Sequence, residues 1–262
     1  MLFISKINEI VDLTKKVKDY AYSIDVDVIG IADANNELFF QAPHEHQPKN
    51  ILEGANSVII MGKAISSGIF KVKHHRAHAL TRIHHSFFKF MDICAARVAN
   101  HIESLGYYAI AAPAHIPFIY KDEKIPLPWG MISLKHAGLA AGIGKIAKCG
   151  LLINSEYGTL LRLSGVITTA KFSPDHMIKE DICLDCNRCI DECTGNAFNE
   201  EGEFNKTLCF PRSILHAFRY LHPYDEEYIK NIEVITNTMY LEYNLGCYTC
   251  LEVCPLNNPK KK

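Results

Sequence analysis

The sequence C-L-D-C-N-R-C-I-D-E-C at residues 183–193 decides how this 262-residue chain is organised. It places three thiols at intervals of three residues and a fourth thiol four residues later. A short loop with a thiolate at every third residue can reach three corners of a [4Fe–4S] cube, so this spacing is typical of a cluster-binding loop. A second run, C-Y-T-C-L-E-V-C-P at residues 247–255, follows further along the chain and predicts a second cluster.

The order of the cysteines predicts a crossed set of ligands. In ferredoxins with two clusters, the fourth Cys of such a run binds the other cluster, so we expect Cys193 to cross over. Cys254, which precedes Pro255, is the natural return ligand, and Cys209 fills the last vacancy. The expected ligands are Cys183, Cys186, Cys189 and Cys254 for cluster 1, and Cys193, Cys209, Cys247 and Cys250 for cluster 2.

Zinc sites and disulfides are the alternatives for these cysteines. Zinc ligation usually takes two C-x-x-C pairs, whereas three thiols in one tight run favour a cube. Disulfide frameworks belong to short secreted chains, and this chain is long with no export signal. Cys94 and Cys149 are left over from the ligand sets, and Cys94 is expected to be a buried core thiol.

The composition indicates a soluble globular protein. The chain is 48% hydrophobic and 22% charged, with a net charge of −1 and a pI near 6.9. There is no global basic excess, so binding of nucleic acid through bulk charge is not expected. The first residues lack a signal-peptide core, and no run approaches the ~18 apolar residues of a membrane span. A cytoplasmic location is therefore expected, and it suits clusters held by thiolates.

Apolar runs upstream of the cysteines predict the strands of a layered α/β domain. A charged stretch at residues 171–181 marks the boundary between a domain at residues 1–172 and a cluster domain at residues 173–262. The continuous character of the first two runs predicts strands that are covered on both faces. Strands are expected at residues 25–33, 57–65, 107–112 and 160–168.

Helices are expected on both sides of these strands. Residues 72–105 contain no Pro or Gly and predict a long helix, and shorter helices are expected at residues 212–220 and 228–235. The first 20 residues predict an amphipathic helix. Its apolar face carries Ile7, Ile10, Val11 and Val17.

Histidines crowd the first turns of the long helix. His74 and His78 stand one turn apart and could share a metal ion, but no carboxylate accompanies them at the spacing of a zinc protease. The favoured interpretation is a cluster that is solvated or lies at the rim of a cofactor, with a metal site or an anion contact as alternatives. The cluster comprises His74, His75, His78, Arg82, His84 and His85.

A glycine-rich block occupies residues 133–158. Gly142, Gly144 and Ala147 satisfy G-x-G-x-x-A, but a dinucleotide site needs a strand before this motif and a helix after it. Here the predicted order is inverted, so we reject a dinucleotide site. The glycines then indicate either a close approach of the backbone to a bulky ligand or a sharp turn.

Taken together, these motifs resemble the epoxyqueuosine reductases and their relatives the reductive dehalogenases, which are cobalamin-dependent iron–sulfur proteins. The resemblance covers nearly the whole chain and implies an α+β protein. A nitroreductase-like α/β domain would hold a base-off corrinoid beside a ferredoxin-like domain with two clusters. It is carried by V-I-G-I-A-D at 28–33, S-V-I-I-M-G at 57–62, the glycine block, L-R-L-S-G-V-I-T at 161–168 and the doubled cysteine pattern.

The resemblance also implies a path for electrons. A low-potential donor of the ferredoxin or flavodoxin type would reduce the clusters, and the electrons would pass to cobalt and on to a substrate. That substrate is a modified nucleoside or another small molecule. The residues implied to lie near the corrinoid are Gly142, Gly144, Lys148 and Ser164.

One departure from the family pattern affects catalysis. The position at which epoxyqueuosine reductases carry their proton-donating Asp is Pro128 here. Candidate proton donors nearby are Tyr120, Lys121 and His136. The loop at residues 115–130 either lines a pocket or packs on the surface. Two further functions stay open: a non-catalytic electron-transfer protein that docks a partner, and a flavin-dependent reductase.

Overall fold

The computed structural model describes residues 2–115, 119–120, 128–213 and 246–257. The helices α2, α3 and α6 are single turns, and α1 and α4 are the two long ones. The helices are α1 Leu2–Ser23, α2 Glu37–Phe40, α3 Pro48–Ile51, α4 Arg76–Ser104, α5 Leu134–Ala140, α6 Arg188–Asp191, α7 Lys206–Ser213 and α8 Thr249–Val253. The strands are β1 Val28–Asp33, β2 Ser57–Ala64, β3 Ala109–Ala112, β4 Ile119–Tyr120, β5 Pro128–Trp129, β6 Lys145–Ile146, β7 Leu152–Ile153 and β8 Leu161–Thr168.

A four-stranded antiparallel sheet forms the centre of the fold, in the order β1-β2-β8-β3. The register pairs Val28 with Gly62 and Ser57 with Thr168. All four strands predicted from the sequence are present, although β1 begins at Val28, three residues later than expected, and β3 begins at Ala109, two residues later. The mixed helix and sheet class is confirmed.

Both faces of the sheet are covered, which explains the continuous apolar runs. Along β2, Ile59 and Met61 join a core formed with α1 and α4, while Val58 and Ile60 join a second core formed with α5. Successive strand residues point to opposite faces, so a strand that is covered twice is apolar at every position.

Both predicted long helices are present, but the second one, expected from residue 72, begins at Arg76. The residues before it are not helical, and the Val72 carbonyl accepts a hydrogen bond of 3.0 Å from Nε of Arg76. In α1, Val17 is fully buried, but Ile7 is 45% exposed and Val11 is 54% exposed. Of the four residues expected on the apolar face of α1, Val17 is the one that belongs to the buried core of the described residues.

The boundary stretch lies against the first strand. The Asp175 backbone N–H donates to the Ile31 carbonyl at 2.8 Å, and its carboxylate accepts from the Ile31 N–H at 2.9 Å. The same carboxylate pairs with Lys18 of α1 at 2.6 Å. The chain therefore stays bound to the first domain beyond the predicted boundary at residue 172. The predicted helices at 212–220 and 228–235 lie outside the described residues, apart from Arg212 and Ser213 at the end of α7.

The second cysteine run is anchored to the first domain by one buried amide. The Asn257 side chain is 3% exposed; its Oδ1 accepts from the Thr159 N–H at 2.8 Å, and its Nδ2 donates to the Leu251 carbonyl at 2.7 Å. Leu251 also packs with Leu80 of α4 and with Leu160. The cluster segment and the sheet domain thus share a core. In the described ranges, no helix combines the length and the apolar character that crossing a bilayer demands.

Candidate metal-cluster site

Two neighbouring cavities are surrounded by the cysteines of the two runs. Each cavity is lined by one of the sets of four predicted from the spacing, and Cys250 also reaches the wall of the first cavity. Cavity 2 has a volume of about 240 Å³. The lining thiols are Cys183, Cys186, Cys189 and Cys254 in cavity 1, and Cys193, Cys209, Cys247 and Cys250 in cavity 2.

Left-handed residues shape the first cysteine run. Asp185 has a φ of 55° and Asn187 a φ of 57°, a conformation that Asp and Asn adopt more readily than most residues. Asn187 also precedes α6, which carries Cys189. The chain therefore turns sharply within the run, and its first three thiols come to line cavity 1. The D and N between the cysteines are the sequence signal for this loop.

Helix starts position the other thiols. The Asn205 side chain accepts hydrogen bonds from the N–H groups of Thr207 and Leu208 at 2.9 and 3.3 Å, so it caps α7 one turn before Cys209. At cavity 2, the Cys247 sulfur lies 3.4 Å from Oγ1 of Thr249. The helix that holds Cys209 thus begins upstream of this residue.

The thiols surround the cavities instead of meeting at a point. Within the part of the chain that the structure describes, no three His, Cys, Asp or Glu side chains form a group that could hold a single metal ion. A cube carries its four irons at separate corners, so its thiolate ligands are distributed around a volume. Ligation of the clusters by the two sets stays a prediction.

Cys149, which the spacing arithmetic left unassigned, lies between the two cavities. It is 7% exposed, lines both cavities and packs against Cys189 of one set and Cys250 of the other. A hydrogen bond with Cys189 lowers the pKa of Cys149, but a hydrogen bond with Cys250 and burial outweigh it and raise the pKa to about 12. Only tertiary structure brings this ninth thiol to the site.

The residues predicted near a corrinoid have partners within the protein. A Cβ added at Gly142 or at Gly144 would lie 2.3 Å from the carbonyl oxygen of His176 or of Ile153. The Ser164 side chain is fully buried and its hydroxyl donates to the Met91 carbonyl at 2.8 Å. The glycines are thus required for close contact between backbone segments, and the Ser164 hydroxyl is already occupied.

Lys148 of the same prediction lies at cavity 1. Its ammonium pairs with Asp185 and donates to Oδ1 of Asn187 at 2.7 Å. These contacts tie the glycine block to the first cysteine run. No observation at Gly142, Gly144, Lys148 or Ser164 indicates a corrinoid.

The candidate proton donors are described unevenly. His136 is exposed and its Nδ1 lies 2.7 Å from the Ser133 hydroxyl. Desolvation, and then the charge of Lys135, lower the pKa of His136. The backbone of Tyr120 pairs with Pro128 in a two-stranded sheet, and Lys121 lies outside the described residues. Their roles stay predictions.

The histidine cluster divides into an exposed part and a buried part. His74 and His75 are exposed, whereas His84 and His85 are 4% and 5% exposed. A solvated cluster is therefore wrong for the second pair. His84 faces β8, where Arg162 lies against it, and it also faces the second cysteine run. The centre of the His84 ring lies 4.5 Å from that of Tyr248 in this run.

The site thus consists of two cysteine-lined cavities beside a helix-covered antiparallel sheet. No family model matches the chain. The chain is 26% identical over 274 residues to the epoxyqueuosine reductase of Staphylococcus aureus. This alignment covers 94% of this chain and 64% of that protein. The chain also spans less than two thirds of other curated epoxyqueuosine reductases that it matches at higher identity.

Solved structures share the fold. An epoxyqueuosine reductase from Streptococcus thermophilus superposes with a TM-score of 0.60 at 21% identity, over 96% of this chain and 69% of that one. A reductive dehalogenase whose structure suggests a mechanism for B12-dependent dehalogenation superposes with a TM-score of 0.52 at 18% identity, over 74% of this chain and 28% of that one. The resemblance predicted from the sequence motifs is thereby confirmed.

Proposed function

We propose that the chain is an iron–sulfur oxidoreductase of the epoxyqueuosine reductase-like group, in which two [4Fe–4S] clusters relay low-potential electrons. One observation carries the proposal: each of two adjacent cavities is lined by one of the crossed sets of four thiols expected of a two-cluster protein, with Cys250 at the wall that the cavities share. The similarity to curated reductases supports the reaction class.

The residues around each cavity fit a cluster. Each set offers four thiols, the number that a [4Fe–4S] cluster requires. Apolar side chains complete the walls, with Ile153 and Leu256 at cavity 1 and Phe198, Phe204 and Leu251 at cavity 2. A bound cluster supplies one-electron transfer. The protein holds it by thiolates and limits the access of water.

The wall between the cavities supports electron transfer from one cluster to the other. It contains Cys149 and Cys250, both of which line the two cavities. We propose that a ferredoxin or flavodoxin type of donor delivers the electrons in a reducing, cytoplasmic compartment. The acceptor would be a modified nucleoside or another small molecule.

We include a corrinoid in this proposal only because the fold is similar to that of a B12-dependent reductive dehalogenase. The four residues implied for it make their contacts within the protein, so they do not themselves support a corrinoid site. Pro128, at the position of the family's Asp, favours a second candidate, a non-catalytic electron-transfer protein. Anaerobic titration with cobalamin or a flavin separates the two, because only the reductase should change the absorption spectrum.

Cysteine variants test the ligand sets. Anaerobically prepared protein should contain about eight iron and eight sulfide per chain, and Cys209→Ala should retain about four of each, because it lacks one ligand of cluster 2. Cys149→Ala is the matched control: it removes a thiol from the same cavity and should retain about eight. If Cys149→Ala loses a cluster and Cys209→Ala does not, the ligand assignment is wrong. Loss of both clusters in both variants would contradict two separate sites.

A further inference from the structure

Two lysines, Lys135 and Lys206, line cavity 2 beside the thiols of the second predicted set. Lys135 is the second residue of α5, and its ammonium donates to the Gly150 carbonyl. Desolvation, and then the charge of Lys206, lower the pKa of Lys135, while the nearby thiols of Cys149 and Cys209 act in the opposite direction. Lys135 is partly buried, and a desolvated cation whose hydrogen bond goes to a carbonyl is costly unless an anion lies nearby.

A cluster held in cavity 2 would be that anion. Four thiolates outweigh the positive charge of an iron–sulfur core, and reduction adds one more negative charge. An ammonium group in a poorly solvated wall therefore stabilises the reduced form more than the oxidised form. Lys206 lines the same cavity, with its ammonium 5.3 Å from the centre of the Trp129 ring.

Cavity 1 has no comparable buried cation among its lining residues. Its two basic side chains are Lys148 and Arg188. The Lys148 ammonium pairs with the Asp185 carboxylate, and Arg188 is exposed to water. Both charges are therefore offset or screened. Cys186 of this set is itself exposed, which places cavity 1 within reach of a docking electron donor.

We propose that Lys135, together with Lys206, raises the reduction potential of cluster 2 above that of cluster 1 and so directs electrons from cluster 1 to cluster 2. This inference rests on the proposed function, because it requires both clusters. An electron from a low-potential donor of the ferredoxin or flavodoxin type would enter at cluster 1 and move on to oxidised cluster 2, and no bond would be formed or broken. Lys135 acts through its charge alone.

An anaerobic redox titration of the full chain, followed by electron paramagnetic resonance, tests the proposal. Lys135→Gln keeps a donor for the Gly150 carbonyl but removes the charge. We expect a tenfold change in the one-electron equilibrium of cluster 2, a shift of about 59 mV to lower potential. Lys135→Arg keeps the charge and should resemble the wild type. Lys145→Gln is the control, because Lys145 lies in the glycine block but lines neither cavity.

A double variant assigns the shift to one cluster. Cys209→Ala should retain cluster 1 only, so adding Lys135→Gln should leave the remaining potential unchanged. If Lys135→Gln loses iron, Lys135→Met is titrated instead. Loss of cluster 2 from both Lys135→Gln and Lys135→Met, but not from Lys135→Arg, would support the requirement for charge.

Iron counts on the same samples separate the two proposals. About eight iron per chain with unchanged potentials in Lys135→Gln would overturn the inference and leave the proposed function intact. An equal shift of both clusters would overturn it as well. A wild-type chain that holds no cluster would overturn the proposed function, and this inference with it.

Discussion

The buried His84 and the partly buried Arg162 form a polar pair behind the second cysteine run. Arg162 Nη2 donates to the Thr159 carbonyl at 3.0 Å, and its Nη1 lies 3.3 Å from His84 Nδ1. Because a guanidinium can only donate, His84 must accept through Nδ1 and remain neutral. Burial, and then the charge of Arg162, lower the pKa of His84 to about 2. Burial likewise lowers the pKa of His115 to about 4.

These histidines should make the protein less stable in acid. Their folded pKa values lie below the ordinary value near 6.5, so the unfolded chain binds more protons as the pH falls below 6.5. Each should reduce the free energy of unfolding by about 2 kcal/mol between pH 7.5 and pH 5. Groups that face His84 are Arg162, His85, His115 and Tyr248.

Replacing His84 by Gln should remove about 2 kcal/mol of that pH-dependent loss. Urea unfolding followed by the fluorescence of Trp129, the single tryptophan, measures the difference between pH 7.5 and pH 5. His74→Gln, at an exposed position on the same stretch, is the control and should leave the loss unchanged. An identical loss in His84→Gln and the wild type would show that His84 is not held neutral by the fold.

At the scale of elements, β1 and the end of α5 approach closely at Gly30. A Cβ at this position would lie 2.2 Å from the Ala141 carbonyl oxygen. We expect Gly30→Ala to lower the free energy of unfolding by about 3 kcal/mol, because strand or helix must shift. In the control Gly68→Ala, the nearest atom to the added Cβ is the Ser66 hydroxyl oxygen at 3.4 Å, and chemical denaturation should show little change. Equal effects of the two changes would contradict the close approach.

Strands and long helices were predictable because their signals are local. The apolar run at residues 57–65 already indicates a strand covered on both faces, and the predicted order of a helix before Gly142 and Gly144 and a strand after them is confirmed. Burial along α1 and α4 was not predictable to the same degree. Whether Val11 or His84 is buried depends on where each helix meets the sheet, and periodicity does not report this position.

At the scale of the whole molecule, the ligand sets and the surroundings of the site differ in how far they could be predicted. The crossed cysteine sets follow from spacing, which covalent chain geometry restricts. Cys149 and Lys135 lie outside the cysteine runs, and only the packing of the glycine block against those runs brings them to the cavities. The Asn257 amide that joins the second run to Thr159 likewise has no local sequence signal.

Native mass spectrometry of the anaerobically purified chain tests the central claim most directly, because it weighs the intact protein with whatever the thiols hold. The account predicts a mass increase equal to two Fe₄S₄ units for the wild type and one unit for Cys209→Ala. A wild-type chain that carries zinc ions, or a single cluster that persists unchanged in Cys209→Ala, would contradict it.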